Sequence, residues 1–338
     1  MAILEYVSLK PYNTFGVDIC ARYFCRVATK ETLINIIKKE LQCYGRHLIV
    51  GGGSNILFCS DYDGLVILNE IKGIEVVKKD EQSVWVKALS GTCWQDLVQY
   101  CVEKDWGGIE NLSLIPGTAG AAPIQNIGAY GAELKDTFVS LEAIDMNTGE
   151  ERIFNNTECK FGYRQSVFKQ ELKGKYFIYS ITLRLARQPI VNTQYGDIRK
   201  TLDAQGISHP TVREVSDTVI SIRRSKLPDP AEIGNAGSFF KNPEVAADKA
   251  ENLLIAYPDM PVYTQTNGMV KIPAAWLIEQ CGWKGKQIGH TGNHARQALV
   301  IVNYGNANGN EIWQHAQNVQ LSVKEKFGIL LEAEVNII

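Results

Sequence analysis

The sequence predicts an α+β protein of two or three packed domains. Three observations carry this. The chain has 338 residues with 45% hydrophobic and 21% charged content, long for one core and ordinary for several. Its apolar residues recur at the helical spacing of 3.6 in some stretches and alternate at the strand spacing of 2 in others. Glycine-rich turns separate short apolar runs, as they do between strands.

Taken in order, Thr29 can cap a helix whose apolar positions Leu33, Ile37 and Leu41 recur every four residues. Residues 47–50 and 55–58 then read as strands on either side of a glycine turn, and 65–68 and 83–89 as further strands. Trp94, Leu97, Val98, Cys101 and Val102 lie on one helical stripe. Residues 139–146 alternate as a strand, 147–149 (Asn-Thr-Gly) form a turn, and Phe177, Tyr179, Ile181, Leu183 and Leu185 share one strand face. Residues 273–282 begin with proline and end with glycine, the asymmetry of a short helix, and 299–303 follow as a strand. A last helix places Ile312, Ala316, Val319, Val323 and Phe327 on one stripe and stops at Gly328, and 329–338 read as a closing strand. No repeat or low-complexity tract is found, and the chain divides near residues 70 and 226.

Composition excludes several classes of partner. The formal net charge is −2, with both signs scattered, so there is no basic footprint for nucleic acid or anionic lipid. The first residues show no basic segment followed by an apolar one, and no window approaches the ~18 apolar residues of a membrane span. A cytosolic protein acting on small molecules is expected. The eight cysteines (Cys20, Cys25, Cys43, Cys59, Cys93, Cys101, Cys159 and Cys281) form no CxxC pair and sit mostly among apolar neighbours, which reads as reduced, buried thiols.

Two glycine-rich segments stand out. In the run Val50-Gly-Gly-Gly-Ser-Asn55, three glycines let backbone N–H groups turn inward as an anion cradle, for which phosphate is the natural guest. The run lacks the Lys-Ser/Thr of a P-loop and leads into a strand, so neither common nucleotide fingerprint fits, and an ordinary tight hairpin is the alternative. Residues 114–131 are small nearly throughout, broken by Gln125 and Asn126. Such a loop wastes backbone entropy unless something large and flat lies against it. Two such loops suggest a cofactor with two phosphates.

At these residues the chain resembles a known family. Asn13-Thr-Phe-Gly16, Gly51-Gly-Gly-Ser-Asn55 and Pro116-Gly-Thr-Ala-Gly-Ala-Ala-Pro-Ile-Gln-Asn-Ile-Gly-Ala-Tyr-Gly131 are similar to the FAD-binding segments of the UDP-N-acetylenolpyruvoylglucosamine reductases. Phe161-Gly-Tyr-Arg-Gln-Ser166, Lys226-Leu-Pro-Asp-Pro230 and Gly234-Asn-Ala-Gly-Ser-Phe-Phe-Lys-Asn-Pro243 extend the match, as do Trp276-Leu-Ile-Glu-Gln280, Arg296-Gln-Ala-Leu299 and Leu331-Glu-Ala-Glu-Val335. The resemblance spans almost the whole chain, and Gln194-Tyr-Gly-Asp197 resembles the extra loop of the family's type I branch.

The resemblance implies a two-part FAD-binding module of the vanillyl-alcohol-oxidase (PCMH) type, here 1–70 with 329–338 and then 71–225, plus a third α/β substrate domain at 226–328. It implies that NADPH reduces FAD and that reduced flavin reduces the enolpyruvyl ether of a UDP-sugar to UDP-N-acetylmuramate for peptidoglycan synthesis. FAD would be held without a covalent bond, His47 being the residue to watch for a tether. The implied FAD contacts are Gly51, Gly52, Gly53, Ser54 and Asn55; Pro116, Gly117, Thr118, Gly120, Ala121, Ala122, Gln125, Asn126, Gly128, Ala129, Tyr130 and Gly131; and Arg223. A monomer is expected.

Three residues match the family's catalytic groups. Arg164 is permanently charged and can hold a carboxylate through two hydrogen bonds; taken without its neighbours, it would be a solvated arginine. Ser238 matches the serine that protonates the carbanion carbon, although loop serines more often cap backbone. Alternation puts Glu332 and Glu334 on one strand face; that pattern alone fits a solvated edge, and the family match selects Glu334. Tyr163, Tyr195, Lys226, Asn242, Tyr263 and Gln297 match substrate contacts, with Tyr263 on a mobile covering loop.

His290 and His294 are four apart, but Gly292 and Asn293 between them make a helix poor and no glutamate follows His290, so no metal is predicted. This 289–294 stretch departs from the family pattern. A sugar or alcohol oxidase on the same cofactor fold is the nearest rival, to be separated by an oxygen assay. A nucleotide-sugar-binding module without turnover would keep both glycine loops but need not keep Arg164, Ser238 and Glu334 together.

Overall fold

The computed structural model describes residues 2–265 and 267–338. Its contacts divide the chain into two units: the first runs to Val7 and takes Ala21–Gly52 and Tyr62–Ser225, while the second takes Ser8–Cys20, Gly53–Asp61 and Lys226–Ile338.

The first unit holds two sheets. One orders its strands Leu4–Ser8, Cys20–Val27, Tyr62–Asn69 and His47–Val50, the last three mutually parallel. Its inner strand Tyr62–Asn69 is buried at all but one position, as a parallel strand covered on both faces must be, and this is why its sequence is a continuous apolar run. The helix Lys30–Lys39 packs on this sheet. Thr29 caps it by accepting a hydrogen bond from the Thr32 N–H, and Leu33, Ile36 and Ile37 cluster with Leu65 and Ile67. The other sheet is antiparallel throughout, in the order Glu151–Asn155, Phe138–Asp145, Tyr176–Ala186, Ser83–Leu89 and Ile74–Lys79. The stripe of helix Trp94–Val102 is buried against it, and the Trp94 indole donates to the Leu112 carbonyl at 2.9 Å. Each large side chain in that stripe contributes about 1.5–3 kcal/mol by leaving water.

In the second unit, strands Gly234–Ser238, Val300–Asn303, Thr291–Asn293 and Gln287–Ile288 form one antiparallel sheet. The helix Gly309–Phe327 packs on it, opened by the reciprocal Asn308 and Glu311 cap and closed by Gly328 at φ 65°. Glycine adopts that left-handed angle without a Cβ penalty.

Several expectations are corrected. Residues 329–338 are not one strand: Ala333 bridges Phe240, and Asn336–Ile337 pairs in parallel with Ile56–Leu57. The chain there serves two partners in turn. Helices Gly196–Ala204 and Val212–Lys226 occupy a region to which the sequence pattern assigned no element. In the second, Val212, Val215, Val219 and Ile222 repeat at helical spacing and are buried, but β-branched residues favour strands and mask the period. Of the eight free thiols, Cys25, Cys101 and Cys159 are buried while Cys43 and Cys93 are exposed. Burial pushes each of the buried three up to about 12. Among the described residues, no helix is long and apolar enough to cross a membrane.

The sheet of the second unit contains a buried switch of charge. His315 is 3% exposed, with Nε2 2.8 Å from Asn293 Oδ1 and Nδ1 3.1 Å from Thr291 Oγ1. Burial, with the Lys286 charge adding, pushes it down to about 4. The unfolded chain takes up this proton near the ordinary pKa of about 6.5. The stabilisation is therefore complete above that pH and is lost as pH falls toward 4. The loss should reach about 3 kcal/mol, at a slope of up to about 1.4 kcal/mol per pH unit. Denaturant titrations at pH 4.5 and 7 should show a smaller pH dependence in His315→Gln than in the parent; equal slopes would remove His315 from the account.

Candidate active site

The two glycine-rich loops expected to hold a cofactor meet inside the first unit. A Cβ added to Gly51 would stand 2.5 Å from Thr118 Oγ1, and one added to Gly52 would stand 3.2 Å from the Gly117 Cα. Gly51 thus lies against the Thr118 side chain and Gly52 against the Gly117 backbone, approaches that the missing Cβ permits. Gly117 itself has φ 119°, outside the range side chains tolerate. The loop is anchored by the protein: Gly117 O accepts from the Trp94 N–H at 3.0 Å, the Ala119 N–H donates to Thr92 O at 2.8 Å, and the Gly120 N–H to Ser90 O at 2.9 Å. The Ala121 and Ala122 amides donate to Thr118 O. These four amides hold the loop. The turn at Ser90 and Thr92 was missed by sequence reasoning. Its signal is Gly91, where a Cβ would lie 2.7 Å from the Ile71 nitrogen.

Strained backbone concentrates nearby. Among the described residues, eight non-glycines have left-handed φ, and four of them are Leu114, Asn126, Tyr130 and Arg164. Such angles cost on the order of 1–3 kcal/mol each and collect at functional sites. Arg164 sits at φ 54° in a turn closed by the Gly162–Gln165 bridge, and its Nη2 donates to Gly128 O at 2.7 Å. Asn126 secures that turn by donating to Gly162 O at 3.1 Å and accepting from the Lys135 N–H at 3.0 Å. Tyr130 and Tyr195 meet edge to face, with ring centroids 5.3 Å apart. The half-buried Arg223 donates Nε to Leu114 O at 3.2 Å. Burial pushes its pKa down, Tyr130 opposes this, and the Arg164 charge adds to it. Gly128, Tyr130, Tyr163, Arg164, Tyr195 and Arg223 are thus held within one unit.

The second unit gathers the other predicted groups. The Glu334 N–H donates to Phe239 O at 2.8 Å, one residue from Ser238, and the Lys241 N–H donates to Glu332 O at 2.9 Å. Asn55 Nδ2 donates to Glu334 O at 3.2 Å, while Asn336 Nδ2 donates to Asn55 O at 3.0 Å. The peptide of Glu334 is gripped on both sides. Of the two carboxylates on this segment, Glu332, 71% exposed, pairs with Lys241 at 2.5 Å. Ser238 pairs with Val300, and Gln297 O accepts from the Val300 N–H at 3.0 Å. Asn242 Oδ1 accepts from the Ala274 N–H at the start of helix Ala274–Gln280. Lys226 ends its helix half-buried, and Tyr263 is 59% exposed on a two-residue strand. The Asn13–Gly16 motif also braces neighbouring chain within the second unit. A Cβ on Gly53 would lie 2.0 Å from Tyr12 O, and one on Gly234 would lie 2.3 Å from Phe15 O. The Asn235 N–H donates to Thr14 O.

His290 and His294 lie around the strand Thr291–Asn293 and not on a helix. Burial, and then Arg296, push the His294 pKa down. Among the described residues no group of three or more His, Cys, Asp or Glu could hold a metal ion. Burial lowers the pKa of His47, and its hydrogen bond to the Gly174 backbone opposes this.

Comparison with known proteins gives this geometry a setting. Residues 229–338 match the family model described as UDP-N-acetylenolpyruvoylglucosamine reductase, C-terminal domain, and residues 21–154 match an FAD binding domain. The UDP-N-acetylenolpyruvoylglucosamine reductase of Flavobacterium johnsoniae is 49% identical, covering 100% of both chains, and that of Pseudomonas aeruginosa is 46% identical, covering 100% of this chain and 99% of its own. The crystal structure of the Thermus caldophilus reductase aligns with a TM-score of 0.68 over 100% of this chain and 99% of that one, at 22% identity. p-Cresol methylhydroxylase aligns at 0.51 over 97% and 84%, at 12% identity. These two likenesses speak to fold, and the fold is the expected FAD-binding module of the p-cresol methylhydroxylase type with a further α/β region. By its full-length identity to named relatives, the chain belongs to the UDP-N-acetylenolpyruvoylglucosamine reductase family of FAD-dependent oxidoreductases.

Proposed function

We propose that this protein uses NADPH to reduce UDP-N-acetylglucosamine enolpyruvate to UDP-N-acetylmuramate, a precursor of peptidoglycan. The observation that supports the reading is the main-chain pairing of the segment that carries Ser238 with the segment that carries Glu334, through the Glu334 N–H to Phe239 O hydrogen bond and the Phe240–Ala333 bridge. The residues of the first unit also fit FAD. The approach of Gly51 and Gly52 to Thr118 and Gly117 brings together two glycine-rich loops, whose backbone amides could hold a diphosphate.

Bound FAD would supply the redox step, accepting hydride from NADPH and delivering it to the terminal alkene carbon. Negative charge then develops on the adjacent carbon and its carboxylate and has to be stabilised. Arg164 would hold that carboxylate through its guanidinium, whose charge is permanent. Glu334 in its protonated form would hydrogen-bond the enolate oxygen. Ser238 would give its hydroxyl proton to the carbanion carbon and regain one from solvent, which balances one hydride and one proton added across the double bond. Tyr163, Tyr195, Lys226, Asn242, Tyr263 and Gln297 would hold the nucleotide-sugar, with Lys226 a phosphate partner. The reading keeps the three-part division at residues 70 and 226, with the terminal segment returning to the first part, and a monomer in the cytosol, where a nucleotide-sugar is made.

Two outcomes test it. Gly117→Val should lower FAD affinity about tenfold or more, because the left-handed backbone and close approach there exclude a branched side chain; cofactor titration of the folded variant with unchanged affinity would take Gly117 out of the site. Ser238→Ala should keep its FAD and its rate of reduction by NADPH, while reoxidation by the enolpyruvyl substrate slows by about 10²–10⁴-fold. Stopped-flow flavin absorbance in separate mixes reads both steps. Equal slowing of both would assign Ser238 to cofactor positioning, and no slowing would place the proton donor elsewhere.

A further inference from the structure

Asn111 is 2% exposed, and its side chain joins two segments distant in sequence. Its Nδ2 donates to Tyr130 O at 2.9 Å and to Asn192 O at 3.0 Å. Asn192 returns the link from outside: its Nδ2 donates to Gly131 O at 3.3 Å, and its Oδ1 accepts from the Gln194 N–H at 3.1 Å. Tyr130 has φ 51° and meets Tyr195 edge to face. Tyr195 precedes the helix Gly196–Ala204, whose Ile198 and Leu202 form a small core with Val215, Val219 and Ile222, against which Tyr130 also packs.

A buried asparagine adds little net stability when its hydrogen bonds merely replace those it makes to water, but it enforces one geometry because any other leaves donors unmet. Here the enforced geometry is the spacing of two peptides, one carrying Tyr130 and one leading to Tyr195. The left-handed angle at Tyr130 needs such enforcement, since a tyrosine released from it would relax toward ordinary backbone.

We infer that Asn111 is a positioning residue for substrate: it holds the loop of Tyr130 and the segment of Tyr195 together, so that the tyrosine pair is set before the nucleotide-sugar arrives. The inference rests on the proposed function for the role of Tyr195 and adds a residue that no motif pointed to. Preorganisation of this kind acts on binding more than on the chemical step.

The test uses the FAD-loaded enzyme with Asn111→Asp, which keeps the shape and loses both donors, and Asn192→Ala, an exposed change that leaves folding intact. Hydrogen exchange of the 190–196 amides should quicken in both variants, less in the second, while the strand Tyr176–Ala186 keeps its protection. With UDP-N-acetylglucosamine enolpyruvate, KM should rise about tenfold in Asn111→Asp with kcat within about threefold. In a Tyr195→Leu background the same substitution should add little, because it acts through that tyrosine. Unchanged exchange at 190–196 overturns the inference whatever the reaction, and so does a KM effect that adds in full to that of Tyr195→Leu. Should Asn111→Asp not fold, Asn111→Ser, which is smaller and cannot span both acceptors, decides by the same two measurements. A parent enzyme that fails to turn over the enolpyruvyl substrate sinks the proposed function instead, and the exchange result still decides whether Asn111 holds the segment.

Discussion

A side chain on Gly51 would collide with the Thr118 side chain, and one on Gly52 would crowd the Gly117 backbone. That exclusion organises the first unit. The strand His47–Val50 runs from the parallel sheet straight into it, and the strand Ser83–Leu89 of the antiparallel sheet leads to Ser90 and Thr92, whose carbonyls anchor the facing loop. Helix Trp94–Val102 begins at the same point, its first N–H bonded to Gly117 O. Two sheets and a helix therefore converge on these glycine contacts, and the apolar cluster around Trp94 and Leu97 packs beside them. The strained angles at Leu114, Asn126, Tyr130 and Arg164 are sustained by the same framework.

The second unit places its chemistry differently. Ser238 and Glu334 are fixed by main-chain hydrogen bonds between short pieces of chain, and by Asn55 gripping the peptide of Glu334. Lys241 pairs with Glu332, on the segment that carries Glu334. Rigid peptide positions of this type suit a step in which a proton has to reach carbon, since a small displacement of the donor slows the transfer strongly.

Much of this was legible in the sequence because it is periodic or depends on glycine. The stripe Trp94 to Val102, the strand 83–89 and the cap at Gly328 follow from spacing alone, and the glycine loops announce a close approach. What stayed hidden has physical reasons. Strand propensity masks the valine-rich helix Val212–Lys226. The terminal segment alternates like one strand yet divides its pairing between Phe240 and Ile56–Leu57, a choice set by distant chain. Which glutamate is engaged by a lysine depends on the Phe240 to Ala333 register. Asn111 looks like any loop asparagine until its two acceptors, far along the chain, are seen together.

The distribution of thiols gives the molecule a built-in reporter. Burial holds Cys25, Cys101 and Cys159 near 12, so they stay protonated and inert at neutral pH. Cys93 is exposed, and its backbone bridges Thr118, the residue that faces Gly51. With Cys43 replaced, a thiol-reactive dye on Cys93 would sit beside the contact of the two glycine-rich loops and would report on any change there.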